Sequence, residues 1–151
     1  LQWRAERLAA EGRRFSVECH IGSVAASPVD VERLVGLAPD LQLTLDYTHF
    51  IAPGFTQLEI DRLAPFAGHV QIRGARPGMG QCSMKENTID YEAVIDVLSA
   101  SGYDGFLAVE YVWIEWENMN RCDNVSETIL MRDRLGTHLR GGTWTYPVSP
   151  T

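Results

Sequence analysis

The stretch Gly105-Phe106-Leu107-Ala108-Val109-Glu110-Tyr111-Val112-Trp113 decides how the chain is read. Seven of its nine residues are apolar or aromatic, as expected of a strand buried on both faces, yet it carries the carboxylate Glu110. Upstream, three more short apolar runs, Arg14–Cys19, Leu41–Asp46 and Gly68–Ile72, are each followed by a loop and an amphipathic helical pattern. Ser27 caps the first such helix, with Pro28 in its first turn and Val31, Leu34, Val35 and Ala38 at helical spacing. Thr56-Gln57-Leu58-Glu59 is a capping box ahead of Ile60, Leu63 and Ala64. Asp90 caps a helix whose stripe is Tyr91, Val94, Ile95 and Leu98, and Gly102 is placed to stop it. A last helix over 123–139 carries Val125, Ile129, Leu135 and Leu139.

Strands alternating with helices imply parallel pairing, right-handed crossovers and a sheet covered on both sides. The fold class is α/β, and periodicity alone is compatible with an open sheet or with a closed (β/α)8 TIM-type barrel. A complete barrel takes about 250 residues, so four βα units and a leading helix in 151 residues correspond to its second half. The expected domain is 1–142, with 143–151 a ragged tail. The chain begins with Leu1 inside a helical pattern, without a signal peptide, and reads as a fragment.

The formal charge of −7 and a pI near 5.0 oppose a phosphate-tracking surface, so nucleic acid is not an expected partner. No apolar run is long enough to span a membrane. Cys19, Cys82 and Cys122 are odd in number and far apart, which suits neither a disulfide framework nor a thiolate zinc site and fits a reducing cytoplasm. Lys85, the sole lysine, lies in a polar loop and is a poor Schiff-base nucleophile.

Every strand carries one potential metal ligand. The first ends at Glu18, the second at Asp46, the fourth at Glu110, and the third begins Gly68-His69. In parallel α/β folds the C-terminal strand ends form the active face, where these four residues would converge. Singly, each is an ordinary salt-bridged or structural group; together, three carboxylates would repel one another without a cation. The expected metal set is Glu18, Asp46, His69 and Glu110, mostly hard oxygen donors with one imidazole. That set suits Mn²⁺ or Mg²⁺, with Co²⁺ or Zn²⁺ also compatible.

The segments Val17-Glu18-Cys19-His20-Ile21-Gly22-Ser23, Leu43-Thr44-Leu45-Asp46-Tyr47-Thr48-His49-Phe50, Gly68-His69-Val70-Gln71, Arg73-Gly74-Ala75-Arg76-Pro77-Gly78 and Ile89-Asp90-Tyr91 through Ser101 to Glu110, in this order, resemble the sugar phosphate isomerase/epimerase family, the xylose isomerase-like barrels. The resemblance implies a TIM-like barrel whose fifth to eighth strands supply the four ligands. The first four strands are absent from this chain. It also implies aldose–ketose isomerisation or epimerisation through an enediolate, with Glu18 and Glu110 as catalytic carboxylates exchanging the carbon-bound proton.

The expected partner is a small-molecule sugar or sugar phosphate, together with a missing N-terminal half or a second copy. His49, three residues after Asp46, either binds a substrate oxygen or is an ordinary loop histidine; His20 is a weaker substrate-binding candidate of the same kind. Arg76, in a glycine-rich loop, either binds a substrate hydroxyl, carboxylate or phosphate or is a flexible-loop residue, and Arg73 competes for that role. Trp113 and Trp116 either wall the pocket or pack on helices. Two other readings keep the barrel or part of it: a metal-dependent polyol or keto-acid dehydratase, and a truncated, non-catalytic half barrel that associates with a partner. An apurinic endonuclease would need more ligands and a basic groove, which the sequence does not offer.

Overall fold

The computed structural model describes residues 1–146. In chain order the elements are α1 (Gln2–Ala10), β1 (Ser16–Glu18), α2 (Pro28–Leu37), β2 (Gln42–Asp46), α3 (Thr48–Ile51), α4 (Gln57–Asp61), β3 (Ala67–Ile72), α5 (Tyr91–Ala100), β4 (Leu107–Val109) and α6 (Asn124–Leu139). All neighbouring strand pairs are parallel, and the sheet order is β1-β2-β3-β4, the order of the chain. The four βα units are therefore present as read, and β1 and β4 are the sheet edges.

The caps form where the sequence places them. The Ser27 hydroxyl accepts the Asp30 N–H at 3.2 Å, and Asp90 accepts from Ala93. Thr56 and Glu59 close the capping box in both directions. Pro65 cannot continue α4, and the chain passes through a single 3₁₀ turn, Ala64–Phe66, straight into β3.

One sheet face is apolar. Leu43, Leu45, Val70 and Ile72 are buried with Val31 and Val35 of α2, Val94, Ile95 and Leu98 of α5, and Met131 and Leu135 of α6 in one continuous core. The expectation of a sheet buried on both faces is not met. Residues in register share a face, so the opposite side presents Ser16, Glu18, Gln42, Thr44, Asp46, His69, Gln71, Ala108 and Glu110, of which only Asp46 is fully buried. The small, apolar Ala108 on the polar side hides the alternation of β4 in the sequence.

Two further expectations are corrected. The strand read over 105–113 is hydrogen-bonded as a strand only over Leu107–Val109, and Phe106 is 87% exposed at the sheet edge, where no fifth strand covers it among the described residues. The stripe read on α6 is rotated: Met131 and Leu135 are buried, while Val125, Ile129 and Leu139 face outward. The orientation follows from polar anchors to α5, with Arg134 forked onto Glu92 and His138 against Asp96 at 3.1 Å. Residues 143–146 do not simply trail, because Trp144 packs on the core and lies under the Arg134 guanidinium, 5.9 Å from the ring centroid. The remainder of the expected tail, 147–151, lies outside the described residues.

A bulge sets which side chains of β3 face the polar side. Leu43 pairs with Ala67 but Thr44 pairs with His69, so Gly68 is the extra residue. A Cβ at Gly68 would collide with the Gln42 side chain, which explains glycine at that point. The bulge brings His69, Gln71 and Arg73 onto the face of Glu18 and Asp46. Among the described residues no helix is long and apolar enough to cross a membrane.

Candidate metal and acid cluster

Asp46 is the centre. Its Oδ1 accepts the N–H of Thr48 at 2.8 Å and the Thr48 hydroxyl at 2.7 Å, a side-chain turn that converts the end of β2 directly into α3. This turn sends His49 back over the strand end, so what reads as a loop histidine is 5% exposed in a short helix. Tyr47 secures the turn from beneath, donating its hydroxyl to Asp61 at 2.8 Å.

His49 Nε2 lies 3.4 Å from Glu18 Oε1 and 3.5 Å from Asp46 Oδ2. One ligand-type atom from each of Glu18, Asp46 and His49 lies within 4.8 Å of the others. A single ion with metal–ligand bonds of about 2.0–2.6 Å reaches all three after a small closure.

The strongest cation in the cluster is the Arg73 guanidinium, whose residue is 3% exposed. Its Nη1 donates to Glu110 Oε2 at 2.7 Å, its Nε to the Gly80 carbonyl at 3.2 Å, and its Nη2 lies 2.9 Å from Asp46 Oδ2 and 3.4 Å from His49 Nε2. The backbone of Arg73 is locked by Tyr91, whose hydroxyl donates to the Arg73 carbonyl and accepts its N–H. Gly74 follows without room for a side chain, since a Cβ would meet the Cys82 carbonyl at 2.5 Å and the Tyr111 hydroxyl at 2.8 Å.

Two oxygens stand out. Among the described residues three buried side-chain oxygens have no hydrogen-bond partner, Gln42 Oε1 at the start of β2 and, at the other end of the sheet, Asp46 Oδ2 and Gln71 Oε1, which belong to register neighbours. The 2.9 Å approach of Arg73 to Asp46 is a charge contact that is not aligned as a hydrogen bond, so that oxygen keeps acceptor capacity. Gln71 donates its Nε2 to Glu110 Oε1 at 2.8 Å, which turns its own oxygen away from Glu110. Orphaned buried oxygens are uncommon and costly, and two neighbours beside a carboxylate and an imidazole match the donor chemistry of a hard divalent cation.

The expected site residues therefore divide. Glu18 and Asp46 come together, and Glu110 joins Asp46 through Arg73. His69 pairs with Thr44, one pleat further from the strand ends, and Gln71 occupies the level of Asp46. Arg76 faces Glu86 at 4.0 Å on the outside of its loop, whereas Arg73 is central. The loop itself is ordered, with Cys82 N–H bonded to the Gly74 carbonyl and Thr88 N–H to that of Ala75. His20 stacks on His49 with ring centroids 4.0 Å apart.

The placement of Gln71 and His49 was partly visible in sequence. Gln71 is two residues after His69 and so on the same strand face, and an Asp at a strand end followed two residues later by Thr can start a helical turn, which here carries His49. Trp113 and Trp116 are 65% and 83% exposed, and neither packs on a helix as core.

Burial and the neighbouring Glu110 and Asp46 raise the Glu18 pKa above the usual carboxylate value. Burial lowers the His49 pKa to about 4, with His20 and Arg73 acting in the same direction and Asp46 opposing. Its folded value lies below the unfolded 6.5, so the unfolded chain takes up the proton first as pH falls. We expect the contribution of His49 to stability to be complete above pH 6.5 and to fade down to about pH 4. Denaturation midpoints of the metal-free chain across that window should fall with pH, and less steeply in His49→Gln; parallel curves would contradict the assignment.

A cavity of about 470 Å³ opens beside the cluster, walled by His20, Ile21, His49, Pro53, Gly80 and Met119 among others. Its size is that of a small-molecule site. A second cavity of about 450 Å³, between α5, β4 and α6, is largely apolar and contains no member of the acid cluster.

Comparison with known proteins agrees with this architecture. The "probable 3-DHS dehydratase AsbF involved in the petrobactin synthesis from Bacillus anthracis" superposes with a TM-score of 0.63 at 16% identity, over 88% of this chain and 54% of that one. The apo form of "3-keto-D-glucoside 4-epimerase, YcjR, from E. coli" gives 0.60 at 18% identity, over 91% and 50%. The chain thus spans about half the length of either structure. No curated protein matches it in sequence. The family model described as "Xylose isomerase-like TIM barrel" matches residues 1–132, and with its four parallel βα units the chain belongs to that family.

Proposed function

We propose that this chain carries the metal and proton-transfer residues of a divalent-metal-dependent enzyme that isomerises or epimerises a sugar or sugar phosphate. The observation that carries the proposal is the grouping of Glu18, Asp46 and His49 beside the orphaned oxygens of Asp46 and Gln71. Glu18, Asp46, His49 and Gln71 would hold the ion. This reading retains Glu18 and Asp46 of the expected set and takes His49 and Gln71 in place of His69 and Glu110. Three oxygen donors and one imidazole favour Mn²⁺ or Mg²⁺ and admit Co²⁺ or Zn²⁺. When bound, such an ion supplies Lewis-acid polarisation of a carbonyl oxygen.

The chain's own residues provide the rest. Among the described residues Glu18 makes one side-chain contact, 3.4 Å to His49 Nε2, which leaves a carboxylate oxygen to take the proton from carbon. Glu110, with one oxygen on Arg73 and the other on Gln71, is held in fixed orientation as the second carboxylate of the pair. His49 and His20 wall the cavity in which the sugar would lie.

The test is deuterium wash-in from ²H₂O next to the carbonyl of keto-sugars and their phosphates, with Mn²⁺, in this chain and in any longer form that contains it. Exchange with inversion or carbonyl migration is expected. Absence of both exchange and Mn²⁺ binding in every form rejects the reading. The second reading, a dehydratase, is favoured by the likeness to a probable 3-DHS dehydratase. It uses the same proton abstraction followed by loss of the β-hydroxyl, and a product lighter by one water identifies it.

The polar sheet face and the two free strand edges support a complementary half or a second copy as partner, since unpaired edges invite pairing. Sedimentation of the isolated chain should show association, and a stable monomer would count against it.

A further inference from the structure

We propose that Arg73 is an internal stand-in for the divalent ion, holding Asp46 and Glu110 together in the metal-free chain and giving up its Asp46 contact when the ion binds. This rests on the metal-centre reading above and goes beyond it by assigning a role to a residue that is not a ligand.

The geometry is specific. Nη2 of Arg73 approaches Asp46 Oδ2 at 2.9 Å and His49 Nε2 at 3.4 Å, and both belong to residues of the three-residue ligand group. A cation bound through those atoms would meet the guanidinium at a distance where like charges repel strongly. The other side of the guanidinium is tied down independently, Nη1 to Glu110 Oε2 and to the Glu110 carbonyl at 3.3 Å, and Nε to the Gly80 carbonyl. Only the Nη2 corner has to yield, and the arginine stays in the cluster.

Charge counting agrees. Glu18, Asp46 and Glu110 carry three negative charges, Arg73 one positive charge, and a ligand imidazole is neutral. The remainder is −2, which one divalent ion compensates. Without Arg73 the same group would carry −3 and attract any cation more strongly. The arginine therefore stabilises the metal-free fold, in which three carboxylates would otherwise repel, and weakens the hold on the metal.

The experiment compares the wild-type chain with Arg73→Met, titrating Mn²⁺ by the electron paramagnetic resonance signal of the free ion and recording melting temperatures with and without Mn²⁺. The variant should bind Mn²⁺ at least about tenfold more tightly. Its metal-free form should melt lower than wild type, and its gain on adding Mn²⁺ should be larger. Equal or weaker Mn²⁺ binding by the variant overturns the proposal while leaving the metal-centre reading standing. Binding by the variant alone supports the proposal, and binding by neither overturns both.

If Arg73→Met does not fold, the wild-type chain answers by nitrogen-15 NMR of its twelve arginine side chains. The guanidinium best protected from exchange, that of Arg73, should shift and lose protection as Mg²⁺ is added. An unmoved signal at Mg²⁺ concentrations that raise the melting temperature overturns the proposal, as does the absence of any Mg²⁺ effect.

Discussion

Asp46→Ala is expected to lower the stability of the metal-free chain by about 2–4 kcal/mol, because it removes the buried carboxylate facing Arg73, which keeps only Glu110 as its ion-pair partner, together with the acceptor of two Thr48 hydrogen bonds. Asp46 is 0% exposed and the Arg73 side chain 4%, so solvent does little to screen the loss. The change also strips the Thr48 N–H and hydroxyl of their shared acceptor, loosening the turn that positions His49. Asp46→Asn keeps an oxygen for Thr48 and should lose less. Urea denaturation of both variants distinguishes the two contributions: equal losses would mean that the turn is immaterial, and a loss below about 1 kcal/mol for alanine would mean that the ion pair carries no weight. Mn²⁺ binding should be abolished in the alanine variant, since the most central donor is gone.

Glu18→Gln addresses the chemistry. If Glu18 moves the carbon-bound proton, the wash-in rate at saturating Mn²⁺ should fall by about 10²–10⁴-fold, the usual worth of a general acid–base group. Unfolding would not explain such a fall. The folded pKa of Glu18 is raised, so the folded chain holds a proton that the unfolded chain releases, and metal-free stability declines as pH rises from the ordinary carboxylate value of 4.5 through the raised one. A neutral amide removes that penalty at pH 7, and the metal-free variant should melt no lower than wild type there. A wash-in rate within a factor of about three of wild type would remove Glu18 from the proton-transfer role and leave Glu110 to fill it.

The polar face of the sheet shows where sequence reasoning reached and where it stopped. The strand-end positions of Glu18 and Asp46 were legible because each closes an apolar run on neighbouring strands, which puts two carboxylates together where either alone would pass for an ordinary salt-bridged group. Gln71 was passed over because a glutamine in a strand carries no charge to attract notice, although its spacing from His69 puts it on the same face. His69 looked like the ligand because histidine is the commoner metal-binding residue. The Gly68 bulge and the pairing with Thr44 leave it a full pleat lower. Arg73 was one of two arginines in a glycine-rich loop, and nothing local distinguishes one that turns inward from one that faces Glu86. The α6 stripe was misjudged for a similar reason, since ion pairs to α5 set its rotation more firmly than a loose apolar pattern.

The sequence alone determined the succession of four βα units and the starts of the helices that follow β1 and β3 and of the capping-box helix. These follow from capping chemistry and from apolar periodicity, both of which act over a few neighbouring residues. Only the tertiary structure decided which polar groups meet: Glu18, Asp46 and His49 around one point, Gln71 in register with Asp46, and Arg73 against Asp46 and Glu110. Strand register, a one-residue bulge and an aspartate-capped turn each rotate or translate a side chain by several ångströms. Displacements of that size decide which charged and polar groups come into contact.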